Sequence, residues 1–178
     1  IRDRDTLIGG PGADVFILGS DGATDVLVDT YGGFDKIELP VNLGKIIERY
    51  QLKLVTSEFN DERISGIYSK PERTIYITEG GISTRKAFTI AHELAHFFLH
   101  NQKQAEVFYR TDGLVLDQEA STVEREANVF AAALLMPEAL VKSYWSSFKS
   151  IHLITQAFYV TYSAAYFRLL NLGIIQAK

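Results

Sequence analysis

The sequence predicts an α+β fold, because the order of the elements is helix, sheet, helix, helix, with the strand-like segments grouped together. Three observations support this class. Short apolar pairs separated by glycine and aspartate occupy residues 1–39, β-type segments lie within residues 52–78, and helical periodicity covers residues 83–100 and 121–136. The predicted divisions are a β-rich segment at 1–39, a central domain at 40–137 and a helical region at 138–178.

Each element of the central domain follows from its local pattern. Leu43, Ile46 and Ile47 share one helical face, and Ser83 or Thr84 can cap a later helix. The predicted order is a helix at 41–50, strands at 52–55, 64–68 and 74–78, a helix at 83–100, a loop at 101–118, a helix at 121–136 and two or three short helices ending near residue 173.

The composition excludes several classes of protein. The chain of 178 residues has no cysteine, so disulfides, thiolate nucleophiles and cysteine-based zinc sites are absent. No apolar run approaches the roughly 18 residues needed to span a bilayer, so no membrane partner is expected. The net charge of −4 argues against a broad nucleic-acid surface. The lack of cysteine fits a reducing cytoplasm, which is the predicted location.

The segment His92-Glu93-Leu94-Ala95-His96 lies within the first long helical pattern. A spacing of four places both imidazoles on one helical face, one turn apart, where they can bind the same ion. Glu93 lies about 100° around the helix from His92, so it can reach a water beside the ion without being a ligand. Zinc activates such a water, and a carboxylate accepts its proton. The pattern predicts a hydrolytic zinc site with His92 and His96 as ligands and Glu93 as general base.

A hydrolytic zinc site needs a third protein ligand, and Glu124 and Glu126 in the second long helix are the candidates. Glu124 shares a helical face with Ala127, Asn128 and Ala131. The two alanines allow close packing against the histidine helix, and Asn128 can hydrogen-bond a ligand histidine. Glu126 lies on a different face. Glu124 is therefore the predicted third ligand.

Two alternatives remain open at this point. Ser121 and Glu124 also match a capping box, in which Glu124 would accept a hydrogen bond from the Ser121 backbone N–H. Glu126 would then become the third ligand. His100 follows His96 by one turn, and it is expected to satisfy free carbonyls at the helix C-terminus, with stabilisation of an oxyanion as the alternative.

Two segments resemble the ImmA/IrrE metallopeptidases: residues 85–96, which contain the His-Glu-His motif, and residues 124–137, which contain the second glutamate. The strands at 64–68 and 74–77 are also similar to the hairpin of that family. The resemblance extends from about Pro40 to Ile175. It implies a small gluzincin-like fold, in which 40–137 is the catalytic domain. It also implies a zinc endopeptidase that cleaves a helix-turn-helix transcriptional repressor at a specific site, often in a stress response.

The N-terminal segment departs from that family. Residues 9–17 match the nonapeptide of calcium-binding parallel β-rolls, the RTX or haemolysin-type repeats. Calcium lies between successive turns of such rolls, so a single good copy cannot complete a strong site. A Ca²⁺ site within residues 1–39 is a further expectation. The segment also raises the alternative of a secreted peptidase effector that is exported with an RTX module.

The C-terminal region has the pattern of two helices around a tight turn at Val160-Thr161, and it resembles the helix-turn-helix-like tail of the same family. Only four lysines and arginines follow Glu138, which argues against direct DNA binding. We expect a protein substrate instead. The alternative to an enzyme is a non-catalytic module that binds metal as a sensor or recognises a partner.

Overall fold

The structure is a computed structural model that describes residues 6–8, 26–28, 39–61, 63–80, 83–100, 107–111 and 118–176. The chain divides into two compact units, Ile1–Glu38 and Leu39–Lys178. In the first unit, β1 (Thr6–Ile8) pairs in parallel with β2 (Val26–Val28). The nonapeptide that motivates the calcium expectation lies outside the described residues.

The second unit contains four strands and six helices among its described residues, and the chain is α+β as predicted. The elements are α1 (Leu43–Arg49), β3 (Lys53–Ser57), β4 (Ile64–Ser69), β5 (Thr74–Thr78), α2 (Ser83–Leu99), β6 (Val107–Thr111), α3 (Gln118–Leu135), α4 (Glu138–Phe148), α5 (Ile151–Phe158) and α6 (Tyr162–Asn171). None of the described helices is long and apolar enough to cross a membrane.

The sheet has the strand order β3-β5-β4-β6. β4 and β5 form the predicted antiparallel hairpin, with Tyr68 opposite Ile75, and β3 pairs with β5 in parallel. β6 pairs antiparallel with β4 at the edge, where Phe108 lies opposite Tyr68. The prediction of a loop over residues 101–118 was wrong for Val107–Thr111, which form β6. Val107 and Phe108 have the β-branched and aromatic character of a strand, and β4 supplies the partner that local sequence does not show.

α2 packs against the sheet on one side and against α3 on another. Three of its residues, Ala91, Leu94 and Ala95, are fully buried. The predicted alanines of α3, Ala127 and Ala131, are also fully buried. Because alanine side chains are short, the backbones of the two helices can approach closely, and polar residues between them come within bonding distance.

The C-terminal helices are stabilised by caps and by one partly buried arginine. The side chain of Ser150 caps α5 and that of Thr161 caps α6, which confirms two helices around the turn near Val160-Thr161. Nε of Arg168 donates to the carbonyl of Met136 at 3.0 Å. This bond links α6 to the residue that follows α3. Burial lowers the pKa of Arg168, while the negative charge of Glu138 opposes that shift.

Candidate metal centre

His92 and His96 meet on the buried face of α2, as the four-residue spacing predicts. Their Nε2 atoms are 3.1 Å apart, and their ring centroids are separated by 4.8 Å. Both side chains are almost completely excluded from solvent, at 1% and 0% exposure. Two imidazoles so close together in a dry environment need a cation or a proton between them, because their lone pairs would otherwise repel.

Glu124 of α3 completes this group from the opposite helix. Its Oε2 lies 3.0 Å from Nε2 of His92, and its Oε1 lies 3.4 Å from Nε2 of His96. One donor atom from each of the three residues fits within a span of 4.8 Å. Two imidazoles and one carboxylate are the donor set of many catalytic zinc sites, which leave a fourth position for water. The residues present fit a zinc ion.

The carboxylate of Glu124 is held in its charged form. Burial by itself would raise its pKa, but hydrogen bonds and charge interactions with His92 and His96 outweigh burial and lower the pKa to about 2. An ionised carboxylate can serve as a metal ligand without first losing a proton.

The capping-box alternative was wrong. α3 begins at Gln118, so Ser121 lies inside the helix and not at its N-cap. The side chain of Glu124 points to the histidines of α2, in contact with both. The glutamate helix therefore starts three residues before the predicted position, because Gln118, Glu119 and Ala120 are themselves good helix formers.

Asn128 hydrogen-bonds His92, as its position one turn after Glu124 predicts. Oδ1 of Asn128 lies 3.0 Å from Nδ1 of His92. An amide oxygen can only accept, so Nδ1 of His92 carries the proton and donates it. In a neutral imidazole this leaves the lone pair on Nε2, the atom that faces Glu124 and His96. The second-helix asparagine thus fixes the tautomer that a zinc ligand requires.

Glu93 lies on a different side of α2 and is fully buried. It does not belong to the group of potential ligands found among the described residues. Its carboxylate lies against β4 at Gly66, where a β-carbon would come within 2.6 Å of Oε1. A carboxylate next to the histidine pair but outside the ligand set has the arrangement expected of a general base.

The sequence did not predict the roles of His100 and Glu126. His100 is buried, with 1% exposure, and its Nδ1 lies 3.0 Å from Nδ1 of His96. Its Nε2 lies 3.0 Å from Oε2 of Glu126. The expectation that His100 satisfies carbonyls at the helix end was wrong, since both ring nitrogens face side chains. The signal available was the repeated spacing of four from His92 to His96 to His100.

Phe108 of β6 covers this row of imidazoles. Its ring stacks on His96 with a centroid distance of 4.7 Å and an interplanar angle of 14°, and it lies 6.0 Å from the ring of His100. Phe108 also stacks on Tyr68 of β4. The sheet edge thus limits the motion of the His96 ring and excludes water from one side of it.

Comparison with known proteins agrees with this geometry. The sequence pattern of peptidase family M78, described as the IrrE N-terminal-like domain, matches residues 47–170. Among solved structures, a Mycobacterium tuberculosis transcriptional regulator is similar, with a TM-score of 0.55 and 21% sequence identity. At that identity the likeness shows a shared fold. The match covers 72% of this chain and 40% of that chain, so this chain corresponds to less than half of that protein.

No curated protein matches the chain. The M78 pattern, however, extends over most of the sequence and includes every residue of the buried cluster. The chain therefore belongs to the M78 peptidase family of IrrE N-terminal-like domains.

Proposed function

We propose that the chain is a zinc-dependent endopeptidase in which His92, His96 and Glu124 hold the metal and Glu93 is the general base. The observation that carries this proposal is the convergence of the three donor atoms within 4.8 Å across α2 and α3. Zinc in this position would act as a Lewis acid that polarises the scissile carbonyl and lowers the pKa of the attacking water.

The chain's own residues would transfer the protons of the reaction. Glu93 accepts a proton from the attacking water at its carboxylate and then delivers it to the nitrogen of the leaving amine. Its burial on α2 suits this task, because a carboxylate shielded from bulk water exchanges its proton with the substrate rather than with solvent. Asn128 holds His92 in the required orientation throughout.

The substrate is proposed to be an extended segment of another protein that lies along β6. β6 is at the edge of the sheet among the described strands, and it pairs only with β4 there. An edge strand offers backbone donors and acceptors to an extended peptide. Phe108 of this strand contacts His96, so a peptide added to β6 would pass beside the metal ligands.

A helix-turn-helix repressor is the proposed substrate within this class, and its support is the resemblance of the motifs to the ImmA/IrrE metallopeptidases. Such a substrate would place the reaction in the cytoplasm. The preferred partner to test is a repressor encoded beside the gene.

Metal content is the first test. The purified protein, saturated with zinc and then freed of excess, should contain one zinc per chain by atomic emission. Glu124→Ala should lose this zinc, whereas Glu126→Ala should retain it at saturation. Loss of zinc only in Glu126→Ala would make Glu126 the third ligand instead of Glu124. Absence of zinc from the unmodified protein would contradict the proposal.

Cleavage is the second test. Incubation of the zinc-loaded protein with the neighbouring repressor should yield two fragments, and their termini identify the bond by mass spectrometry. Glu93→Gln should bind zinc but produce no fragments. Cleavage by Glu93→Gln would contradict the assigned base. Zinc binding without cleavage of any repressor would favour the non-catalytic sensor.

A further inference from the structure

A row of three polar side chains leads away from the proposed metal centre. It runs from His96 through His100 to Glu126, and its first member belongs to the proposed zinc site. The two successive atom pairs, His96 Nδ1 with His100 Nδ1 and His100 Nε2 with Glu126 Oε2, are each separated by 3.0 Å. The row begins on α2 at His96, continues at His100 directly after the end of that helix, and finishes on α3 at Glu126.

The carboxylate at the outer end sets the direction of every hydrogen bond in this row. Glu126 can only accept when ionised, so Nε2 of His100 must donate to it. A neutral His100 then has its lone pair on Nδ1, and that atom accepts from Nδ1–H of His96. His96 in turn has its lone pair on Nε2. This is the nitrogen that lies 3.1 Å from Nε2 of His92 and 3.4 Å from Glu124.

We propose that His100 and Glu126 are positioning residues that fix the tautomer and orientation of His96 and so raise the affinity of the centre for zinc. The inference rests on the proposed function, because it presupposes that His96 binds the metal. Glu126 acts through His100, and neither residue belongs to the group of potential metal ligands among the described residues. The pair does for His96 what Asn128 does for His92.

The two ligands differ in how they are supported. His92 donates directly to the neutral amide of Asn128. His96 donates through a second imidazole to a negatively charged group, and a hydrogen bond to a charged partner is roughly twice as strong as one between neutral groups. His96 and His100 are also shielded, at 0% and 1% exposure, so the charge of Glu126 is transmitted through a site of low dielectric constant. Loss of the charge should therefore weaken zinc binding by the centre.

The test is the dissociation constant for zinc of the full chain, measured by competition with a chromophoric chelator. Glu126→Gln keeps the size of the side chain and removes its charge. It should raise the dissociation constant about 10-fold, within the range seen when a partner of a ligand is removed. Glu138→Gln is the matched control. Glu138 is 34% exposed and Glu126 33% exposed, and each forms an ion pair, but Glu138 contacts Lys142 instead of the histidines.

Variants of His100 separate positioning from packing. His100→Phe fills the space but has no acceptor, and it should raise the dissociation constant about 10- to 100-fold. His100→Asn can place an amide oxygen near the position of Nδ1, and it should recover part of that loss. Thermal unfolding of the zinc-free proteins checks that each variant is folded. If His100→Phe fails to fold, Glu126→Gln still decides the question, because Glu126 lies partly at the surface.

An NMR measurement supplies a signature that packing alone would not change. In the zinc-loaded protein, the chemical shift of the Nδ1–H proton of His96 should change in Glu126→Gln and should not change in Glu138→Gln. Unchanged zinc affinity and an unchanged proton signal in Glu126→Gln, with normal zinc binding by the unmodified protein, would overturn this inference alone. Failure of the unmodified protein to bind zinc would overturn the proposed function and this inference together.

Discussion

Gly66 of β4 lies directly against Glu93 of α2. A β-carbon built on Gly66 would lie 2.6 Å from Oε1 of Glu93 and 2.5 Å from Cγ2 of Thr89, distances shorter than real β-carbons show. The strand also changes register with β6 between Ile64 and Gly66. Strand and helix therefore approach so closely that only a hydrogen fits between them, and the glycine determines where the carboxylate of Glu93 can lie.

Gly66→Ala should displace Glu93 and impair catalysis more than metal binding. The added methyl group overpacks the contact, so we expect a loss of about 1–3 kcal/mol in the free energy of unfolding. The proposed mechanism requires Glu93 to meet the attacking water, so kcat should fall while the zinc content stays at one per chain. Chemical denaturation, metal analysis and cleavage of a peptide accepted by the unmodified protein measure these three quantities.

Two controls accompany this variant. Gly80→Ala makes the same chemical change at a position where no heavy atom lies within 4 Å of the added carbon, so stability and kcat should stay unchanged. Thr89→Ser in the Gly66→Ala background removes Cγ2 and should restore stability without restoring kcat. Full recovery of kcat in that double variant would show that the helix contact, and not the displacement of Glu93, caused the defect.

Asn128→Leu should weaken zinc binding without changing its stoichiometry. The leucine cannot accept the hydrogen bond from Nδ1 of His92, and the histidine then loses the partner that fixes its tautomer. A 10- to 100-fold increase in the zinc dissociation constant is expected. The neighbouring residue Val129 is 56% exposed, so Val129→Ala serves as the control and should bind zinc normally. Equal affinities in the two variants would contradict the role of Asn128.

The helix contacts were predictable because helical periodicity links residues that are close in sequence. His92 with His96, and Glu124 with Asn128, are each one turn apart, so their faces follow from position alone. The buried alanines of α3 indicated which face would meet the histidines. The central hairpin was predictable for a similar reason, since a short turn fixes the pairing of its two strands.

The rest depended on contacts between distant segments. β6 is a strand only because β4 offers it a partner, and Phe108 covers His96 only because that pairing exists. The bond between His100 and Glu126 joins the residue that follows α2 to a residue of α3, and the local pattern assigned each of them another role. The division of 40–178 at residue 137 and the calcium site stay predictions.

Acid should remove a contribution of Glu124 to the stability of the zinc-free protein. Hydrogen bonds from His92 and His96 outweigh burial and hold its folded pKa at about 2, below the ordinary value of 4.5. A depressed carboxylate pKa stabilises the folded state above pH 4.5, and this contribution disappears as the pH falls through about 2. It amounts to at most about 3 kcal/mol.

The measurement is urea unfolding of the chelator-treated protein and of Glu124→Gln at several pH values. The difference in the free energy of unfolding should be largest at pH 5 and above, and it should shrink steadily toward pH 2. A difference that stays constant over this range would show that the charge of Glu124 is not stabilised by the two histidines.

Zinc should stabilise the folded chain by mass action. A ligand that binds only the folded state at 100 times its dissociation constant adds about 2.7 kcal/mol to the free energy of unfolding. For a chain of this size that corresponds to an increase of roughly 5–10 °C in Tm. Calorimetry of the chelator-treated protein before and after addition of zinc measures the shift.

His92→Ala distinguishes binding at this centre from binding elsewhere. Removing one imidazole leaves two of the three proposed ligands, so zinc at the same concentration should produce little or no increase in Tm. Magnesium should have little effect on either protein, because it prefers oxygen ligands in octahedral geometry over imidazole nitrogen. An equal zinc-induced increase in Tm in His92→Ala and the unmodified protein would place the stabilising metal at another site and remove the basis for assigning His92 as a ligand.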